Sequence, residues 1–562
     1  MGPLFEPRPH DVAGLLDCPP TLPAVIRRGA QRFGDLNFLR GPDGSLSYAE
    51  TDAASSRLAR ALLAAGVGKG TRVGIMMPNG ANWVIAWFAV SRIGAVAVAL
   101  STLFQRREVD WALRHNDIDT LLVAAQSGIA DYQILLQEAL PALASFDGQH
   151  PLILPSHPYL RRVVVWGGVP SPWAISADRF LAAIECRPEF SDALVSAVEG
   201  NVAPADDLIV ICTSGTTAEP KAVISTHGAA IRSTWAFHSY FGYQRGERTY
   251  GGMPFFWVGG ILCGIMPAFY VGASLSFPRT LSGDDLLDML IEQEITALYM
   301  IPGQLHAAQS AAKLRGIDIS GVRPALRPWR HGSLAVPSRE DFPGGSLGMT
   351  ETFGTHSSEA QDRPAQPGKA GNWGRGLPGA ERRIVAPATG EPLPAGREGE
   401  LQVRGLNLMR GYVKVERHEV LTSDGWFPTG DKAMIDEDGF LYFYGRASEM
   451  IKTSGANVAP REVEAMLMAF PEIREAIVFG LPDPSRGEIV AAAIVPEEGF
   501  NVDINALRLK ALTEISSYKV PKVIVPMAHD AIPRTQGSAK PRKGELRTMV
   551  REMLSRDAAQ QF

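Results

Sequence analysis

Apolar residues between Leu46 and Cys212 change period repeatedly, and this alternation most narrows the folds open to the chain. Ser47-x-x-Glu50 has the form of a capping box, in which a hydroxyl and a carboxylate satisfy helix-terminal N–H groups reciprocally. Leu58, Ala61, Leu62 and Ala65 then recur at helical spacing until Gly66. Arg72-Val-Gly-Ile-Met-Met77 reads as a strand, as do Thr120–Val123, Arg162–Val165 and Leu208–Cys212. Strands alternating with helices predict a layered α/β domain with substantial parallel sheet. After Gly445-Arg446 the texture becomes compact: Val463–Met468 reads as a helix, and Ala476–Phe479 and Val490–Val495 as strands. A second, smaller domain of about a hundred residues is expected there.

The 562 residues are enough for several structural units with ample core. A hydrophobic fraction of 45%, a charged fraction of 20% and a net charge of -5 describe an ordinary globular protein, with no basic surface for nucleic acid. Cys18, Cys186, Cys212 and Cys263 stand far apart, which suits neither a disulfide framework nor a zinc site and points to a reducing cytoplasm. The N-terminal MGPLFEPRPH lacks a signal-peptide layout, and Glu6 breaks a myristoylation pattern. Met253–Phe277 carries no charge for longer than the roughly 20 residues of a membrane span. Its prolines and glycines, and the lack of a flanking Lys/Arg bias, predict a buried wall and no membrane span.

Between Thr213 and Val223 stands TSGTTAEPKAV, a Gly/Ser/Thr-rich stretch directly after an apolar strand. It lacks Walker spacing, and after Pro220 the chain enters a second strand, Lys221–Ser225, so the stretch reads as a hairpin tip. Small residues there let backbone N–H groups converge on an anion, while hydroxyls add donors; the other reading is a plain surface turn. Two further motifs fail on context. Gly374-Arg-Gly376-Leu-Pro-Gly379 matches GxGxxG, but Pro378 interrupts it and a strand-like segment follows. Gly344-Gly-Ser346-Leu-Gly348 matches GxSxG, but its lead-in Ser338–Pro343 is polar and ends in proline.

Downstream lie GMTET (Gly348–Thr352), GELQVRGLNLMRGY (Gly399–Tyr412), TGD (Thr429–Asp431), GRASEMIKTSGANVAPREVE (Gly445–Glu464) and PRTQGSAKPRKGELR (Pro533–Arg547). In that order and spacing the chain, from the Leu46 region to Arg547, resembles the adenylate-forming superfamily of acyl-CoA synthetases, adenylation domains and luciferases. The resemblance implies a large multi-layered N-terminal domain of packed β-sheets and helices over 1–444. A hinge at 445–449 and a small mobile α+β C-terminal domain over 450–562 would follow.

It also implies ATP, Mg2+ and coenzyme A as cofactors, and activation of a carboxylate as acyl-AMP before transfer to a thiol. Thr213, Ser214, Gly215, Thr216, Thr217 and Lys221 would form the loop over the β- and γ-phosphates. Thr350 would contact the α-phosphate, and Glu351 would hold Mg2+, a hard cation suited to a carboxylate. Asp431 would accept from both ribose hydroxyls, with Arg446 near the same sugar. Leu347 stands where an aromatic commonly stacks on adenine, and Ser454 and Gly455 would line coenzyme A's entry. The closing motif puts the catalytic lysine at Lys540, with Lys543 the runner-up. Ala218, His331 and Ser448 also depart from the family pattern, the last at the hinge.

By the same resemblance Pro254–Gly260 lines the acyl pocket, and amino-acid-activating members carry an aspartate where this chain has Trp257. A buried ammonium without a counter-charge is costly, so amino acids are disfavoured. Trp235, Phe255, Trp257, Met349 and Phe353, with room beside Gly259 and with His331, Gly332 and Gly348 at the rim, suggest a bulky hydrophobic carboxylic acid. Only fifteen residues follow Arg547, which favours free coenzyme A. The alternatives are delivery to a separate acyl carrier protein, or a non-catalytic nucleotide-binding relative.

Overall fold

The computed structural model describes residues 17–42, 44–128, 130–147, 150–213, 220–238, 242–300, 302–319, 322–324, 345–358, 369, 371–446, 450–534 and 541–560. The chain divides into two compact units. The first comprises Met1–Thr102, Ala112–Ile211 and Ala222–Gly445; the second comprises Leu103–Trp111, Cys212–Lys221 and Arg446–Phe562.

The capping box forms: the Glu50 N–H donates to Ser47 Oγ at 3.1 Å and the Ser47 N–H donates to the Glu50 carboxylate at 2.7 Å. It opens the helix Tyr48–Ala64. The four strands anticipated from the alternation, together with Val96–Ala99, which the sequence reading did not mark, lie side by side and parallel, in the order Asp207–Thr213, Val96–Ala99, Arg72–Met76, Thr120–Ala124 and Arg162–Trp166. Successive residues of these strands are buried, so both faces are shielded from water, which is why they read as continuous apolar runs. Beyond Asp207–Thr213 the same sheet continues through Lys221–Thr226 to the two-residue strand Gly411–Tyr412, which pairs antiparallel with Val223 and Ile224.

A second sheet of six strands runs Arg323–Pro324, Ala297–Tyr299, Arg248–Gly251, Ser274–Ser276, Asn37–Gly41 and Gly44–Ser47. The main core includes Trp83, Trp87 and Phe88 of the helix Ala81–Arg92, packed with Phe38, Tyr48, Phe255 and Phe269. Arg92 is buried with them, and its guanidinium is held by Asp52, Glu199 and Ser55. The uncharged stretch Met253–Phe277 folds as helix Val258–Gly260, a π-helical turn Ile261–Ile265, helix Met266–Val271 and strand Ser274–Ser276. Among the described residues no helix is long and apolar enough to cross a membrane.

The remainder of the first unit is antiparallel. Ser346–Met349, Gly354–Ser358 and Arg375–Gly376 form one sheet, and Ala380–Val385, Glu398–Gly405, Phe427–Ile435 and Leu441–Arg446 form another. Both decoy motifs fall here. Gly374–Gly379 passes from one short strand into the next without a helix, and Ser346 lies in a strand with its Oγ 2.7 Å from Ser358 Oγ.

In the second unit, Gly487–Pro496 pairs antiparallel with Ile473–Asp483 and parallel with Val523–Pro526. The hairpin Ile451–Thr453 and Ala456–Val458 extends this sheet, and helices Pro460–Met468, Ile504–Glu514 and Lys543–Gln560 accompany it. Leu103–Trp111 joins this unit through a buried polar cluster. The Glu108 carboxylate accepts from the Ser516 N–H at 2.9 Å and from Lys519 Nζ at 2.6 Å, and Lys519 also reaches Glu462 at 2.7 Å.

Candidate active site

The GMTET segment is a hairpin whose geometry depends on glycine. Gly348 lies at a register shift between Ser346–Met349 and Gly354–Ser358, and a Cβ there would stand 2.4 Å from the Gly354 carbonyl oxygen and 2.6 Å from Thr355 Cα. Thr350–Thr352 form a single 3-10 turn, closed by Phe353 in the left-handed region at φ 47°. A non-glycine residue holds that conformation only when its surroundings over-determine it. Here Phe353 is fully buried, Ser233 Oγ donates to its carbonyl at 2.9 Å, and Thr352 Oγ1 donates to the Gly354 carbonyl at 2.6 Å.

That turn presents Glu351. Its Oε1 accepts from the Tyr412 hydroxyl at 2.8 Å, and its backbone carbonyl accepts from the Met409 N–H at 2.7 Å. Asn407 Nδ2 donates to the next carbonyl, Thr352, at 3.3 Å. Among the described residues Glu351 Oε2 receives no protein donor. Nor do three His, Cys, Asp or Glu side chains come together among them as a metal cluster. One carboxylate oxygen left for a cation fits Mg2+, which usually keeps waters and takes most other ligands from phosphates.

Thr213 ends one strand and Lys221 begins its neighbour, with Thr213 Oγ1 donating to the Lys221 carbonyl at 3.4 Å. Ser214, Gly215, Thr216, Thr217 and Ala218 lie outside the described residues, as do His331, Gly332, Ser448 and Lys540. Asp431 is buried in Phe427–Ile435, and its N–H donates to Thr429 Oγ1 at 3.1 Å after Gly430 turns through φ 71°. Arg446 ends the strand Leu441–Arg446. Ser454 and Gly455, at φ 50° and 83°, form the exposed two-residue tip of their hairpin, the handedness such tips require. Lys543 Nζ is engaged by Glu464 at 2.8 Å and by the Val478 carbonyl at 3.0 Å.

The apolar candidates separate. Phe255 is core, edge-on to Trp83 and Phe277 at 5.6 and 5.8 Å, and Phe353 is fully buried. Leu347 and Met349, two apart on one strand, share a face and turn into a cluster with Val223, Leu401 and Tyr412. Trp257 is half-buried, and Trp235 is half-buried between His238 and Tyr270 at 4.4 and 4.8 Å. A Cβ on Gly259 would meet the flexible end of Met253 at 2.8 Å. Burial pushes the Cys263 thiol of the π turn up to about 12, so it stays protonated at neutral pH.

A cavity of about 390 Å³ lined by Arg27, Asp52, Arg57, Arg60, Glu185 and Asp192 contains none of these residues. Its charges largely pair among themselves. Tyr412 is the residue that sequence reasoning passed over, although it stood inside a quoted motif. Its signal was an aromatic after Gly411 at a strand that pairs beside the loop's exit.

Residues 26–413 match the AMP-binding enzyme family, and residues 462–540 match the AMP-binding enzyme C-terminal domain. The chain is 28% identical over 519 residues to an indoleacetate–CoA ligase of Aromatoleum aromaticum, covering 91% of this chain and 94% of the relative. It is also 28% identical over 519 residues to a sulfoacetate–CoA ligase of Cupriavidus necator, covering 89% and 93%. Among solved structures it resembles the amide bond synthetase McbA of Marinactinospora thermotolerans, with a TM-score of 0.72, 26% identity, and 93% and 99% coverage.

Proposed function

The chain belongs to the AMP-binding enzyme family, and from that premise we propose that it activates a bulky hydrophobic carboxylic acid as acyl-AMP and transfers the acyl group to coenzyme A. ATP, Mg2+ and coenzyme A serve the family's CoA ligases. The observation that carries the reading is the short strand Gly411–Tyr412, which joins the strand leaving the Gly/Ser/Thr loop to the turn bearing Glu351. Both contacts lie within the first unit: Tyr412 pairs with Val223 of the strand that leaves the loop, and its hydroxyl donates to Glu351.

In the first half-reaction a carboxylate oxygen attacks the α-phosphorus and pyrophosphate leaves. One anion attacks another, so aligned donors and cations must offset the charge. Thr213–Thr217 and Lys221 are assigned to the β- and γ-phosphates, Thr350 to the α-phosphate, and Asp431 with Arg446 to the ribose. Mg2+ held by Glu351 would supply further charge neutralisation when bound. Lys540 is assigned to the α-phosphate and the acyl carboxylate. In the second half-reaction the thiol sulfur attacks the acyl carbon, AMP leaves, and the thiol proton passes to solvent. Ser454 and Gly455, at an exposed tip, are assigned to the thiol's approach.

The relatives name acids as unlike as indoleacetate and sulfoacetate, so the choice of acid rests on this chain's own residues. Trp257 offers no carboxylate for an ammonium, and Trp235 adds a second partly exposed ring. The test is pyrophosphate release across a panel of carboxylic acids with and without coenzyme A. Release with hydrophobic acids and an acyl-CoA product are expected. Robust turnover of an unmodified α-amino acid would sink the pocket assignment, and acyl-AMP persisting in excess coenzyme A would redirect the transfer to a carrier protein.

A further inference from the structure

The segment Asn407–Val413 is hydrogen-bonded along both edges. On one edge the Arg410 N–H donates to the Ile224 carbonyl and the Val413 N–H to the Ala222 carbonyl, each at 2.9 Å, while Tyr412 pairs with Val223. On the other edge the Met409 N–H and the Tyr412 hydroxyl take the two ends of Glu351, its backbone carbonyl and its carboxylate. The Tyr412 ring is buried in the cluster containing Leu347, Met349 and Val223, so its hydroxyl is delivered from a fixed base.

A glutamate at the tip of a 3-10 turn has three side-chain torsions and sweeps a wide arc unless something holds it. Only Tyr412 donates to the Glu351 carboxylate among the described residues. We propose that Tyr412 is a positioning residue that fixes Glu351, holding Oε1 so that Oε2 is presented to the divalent cation carried with ATP. The proposal rests on Glu351 being the cation-binding carboxylate. A phenol suits the task because it reaches from a packed strand to a half-exposed carboxylate without adding a competing charge. The strand register then ties the carboxylate's position to the strand that leaves the phosphate loop.

The test is Mn2+ binding to the full chain, followed by electron paramagnetic resonance with a non-hydrolysable ATP analogue, for wild type, Tyr412→Phe, Glu351→Gln and the double variant. Removing a group that orients a metal-binding carboxylate typically weakens metal affinity by about tenfold or more. Tyr412→Phe should raise the Mn2+ dissociation constant by about that factor, with the KM for the acid unchanged and activity recovered at high Mg2+. In the Glu351→Gln background the same change should add nothing. If Glu351→Gln leaves Mn2+ affinity intact, the assignment of Glu351 fails. If Glu351→Gln weakens Mn2+ binding but Tyr412→Phe does not, the positioning role alone is overturned. An equal loss from Tyr412→Phe in both backgrounds marks general damage to the fold and also overturns it.

Discussion

Lys543 Nζ lies 2.8 Å from Glu464 Oε1 and 3.0 Å from the Val478 carbonyl oxygen, so the first residue of the C-terminal helix is tied to the sheet of its own unit. An ammonium held this way serves packing and gives up freedom to reach a phosphate. This supports Lys540, three residues earlier, as the catalytic group. Lys540→Ala should slow acid-dependent ATP–pyrophosphate exchange by about a hundred to a thousandfold, the usual effect of losing one preorganised charge at a transition state. It should largely spare thioester formation from supplied acyl-AMP. Lys543→Ala should lower the melting temperature with exchange kept near wild type, and selective loss of exchange in Lys543→Ala would show the two roles reversed.

Trp257 follows a buried core residue, Phe256, yet is itself only half-buried. Trp257→Ala should therefore leave the protein folded and shift kcat/KM toward longer or bulkier acids. A ratio change of about tenfold is in line with the effect of a methylene or two in an apolar pocket. Competition assays between paired acids would measure it, and an unchanged ratio would return Trp257 to the core.

Local features were legible in the sequence. The capping box at Ser47 and the parallel strands came from nearest-neighbour chemistry and periodicity, which tertiary contacts only reinforced. What escaped was set by pairing between distant segments. Nothing local marks Tyr412 as the donor to a glutamate 61 residues earlier, or Lys519 as the partner of Glu108 across a separation of 411. Leu347 is instructive differently. Its motif position pointed to adenine and that of Met349 to the acid, and the sequence did not announce that both side chains join one cluster with Val223 and Tyr412.

Lys519 is buried against Glu108 and Glu462, each on a separate segment of the second unit. Burial alone would lower its pKa, but the neighbouring negative groups, Glu108 first among them, outweigh that and keep it protonated. Lys519→Met would leave two carboxylates buried without their cation, a change that typically costs about 3–5 kcal/mol. Urea denaturation should show a loss on that scale. A loss below about 1 kcal/mol would mean water replaces the ammonium freely.

His227 is fully buried, and its Nδ1 accepts the Leu22 N–H at 3.1 Å. Burial lowers its pKa to about 4, with Asp206 opposing the shift and Lys69 adding to it. The unfolded chain therefore binds this proton near pH 6.5 while the folded chain refuses it until about 4. Stability should be full above pH 6.5, fall through the window down to about 4, and level off below, as far as this group decides it. At 1.36 kcal/mol per unit the fall approaches about 3 kcal/mol. His356, lowered by burial to about 3, should act in the same direction. Denaturant midpoints at pH 7.5 and 4.5 should differ less in His227→Asn than in wild type, and an equal drop would assign the acid sensitivity elsewhere.

Gly348 shows most directly how the backbone limits the site. Its φ is not in the left-handed region, so the requirement is space: a Cβ would fall 2.4 to 2.6 Å from backbone atoms of Gly354 and Thr355. Those atoms belong to the strand that follows Phe353, and they cannot retreat as a flexible side chain could. Gly348→Ala must therefore push apart the two strands of the hairpin that carries Thr350 and Glu351. Overpacking of this kind costs about 1–3 kcal/mol, within what a large domain can absorb. The chain should stay folded by circular dichroism and melt a few degrees lower. Pyrophosphate exchange should fall far more than that stability loss explains, because a 1 Å displacement of a positioned group can cost on the order of a hundredfold in rate. Gly348→Ala with wild-type exchange would show that Thr350 and Glu351 tolerate movement of the turn that bears them.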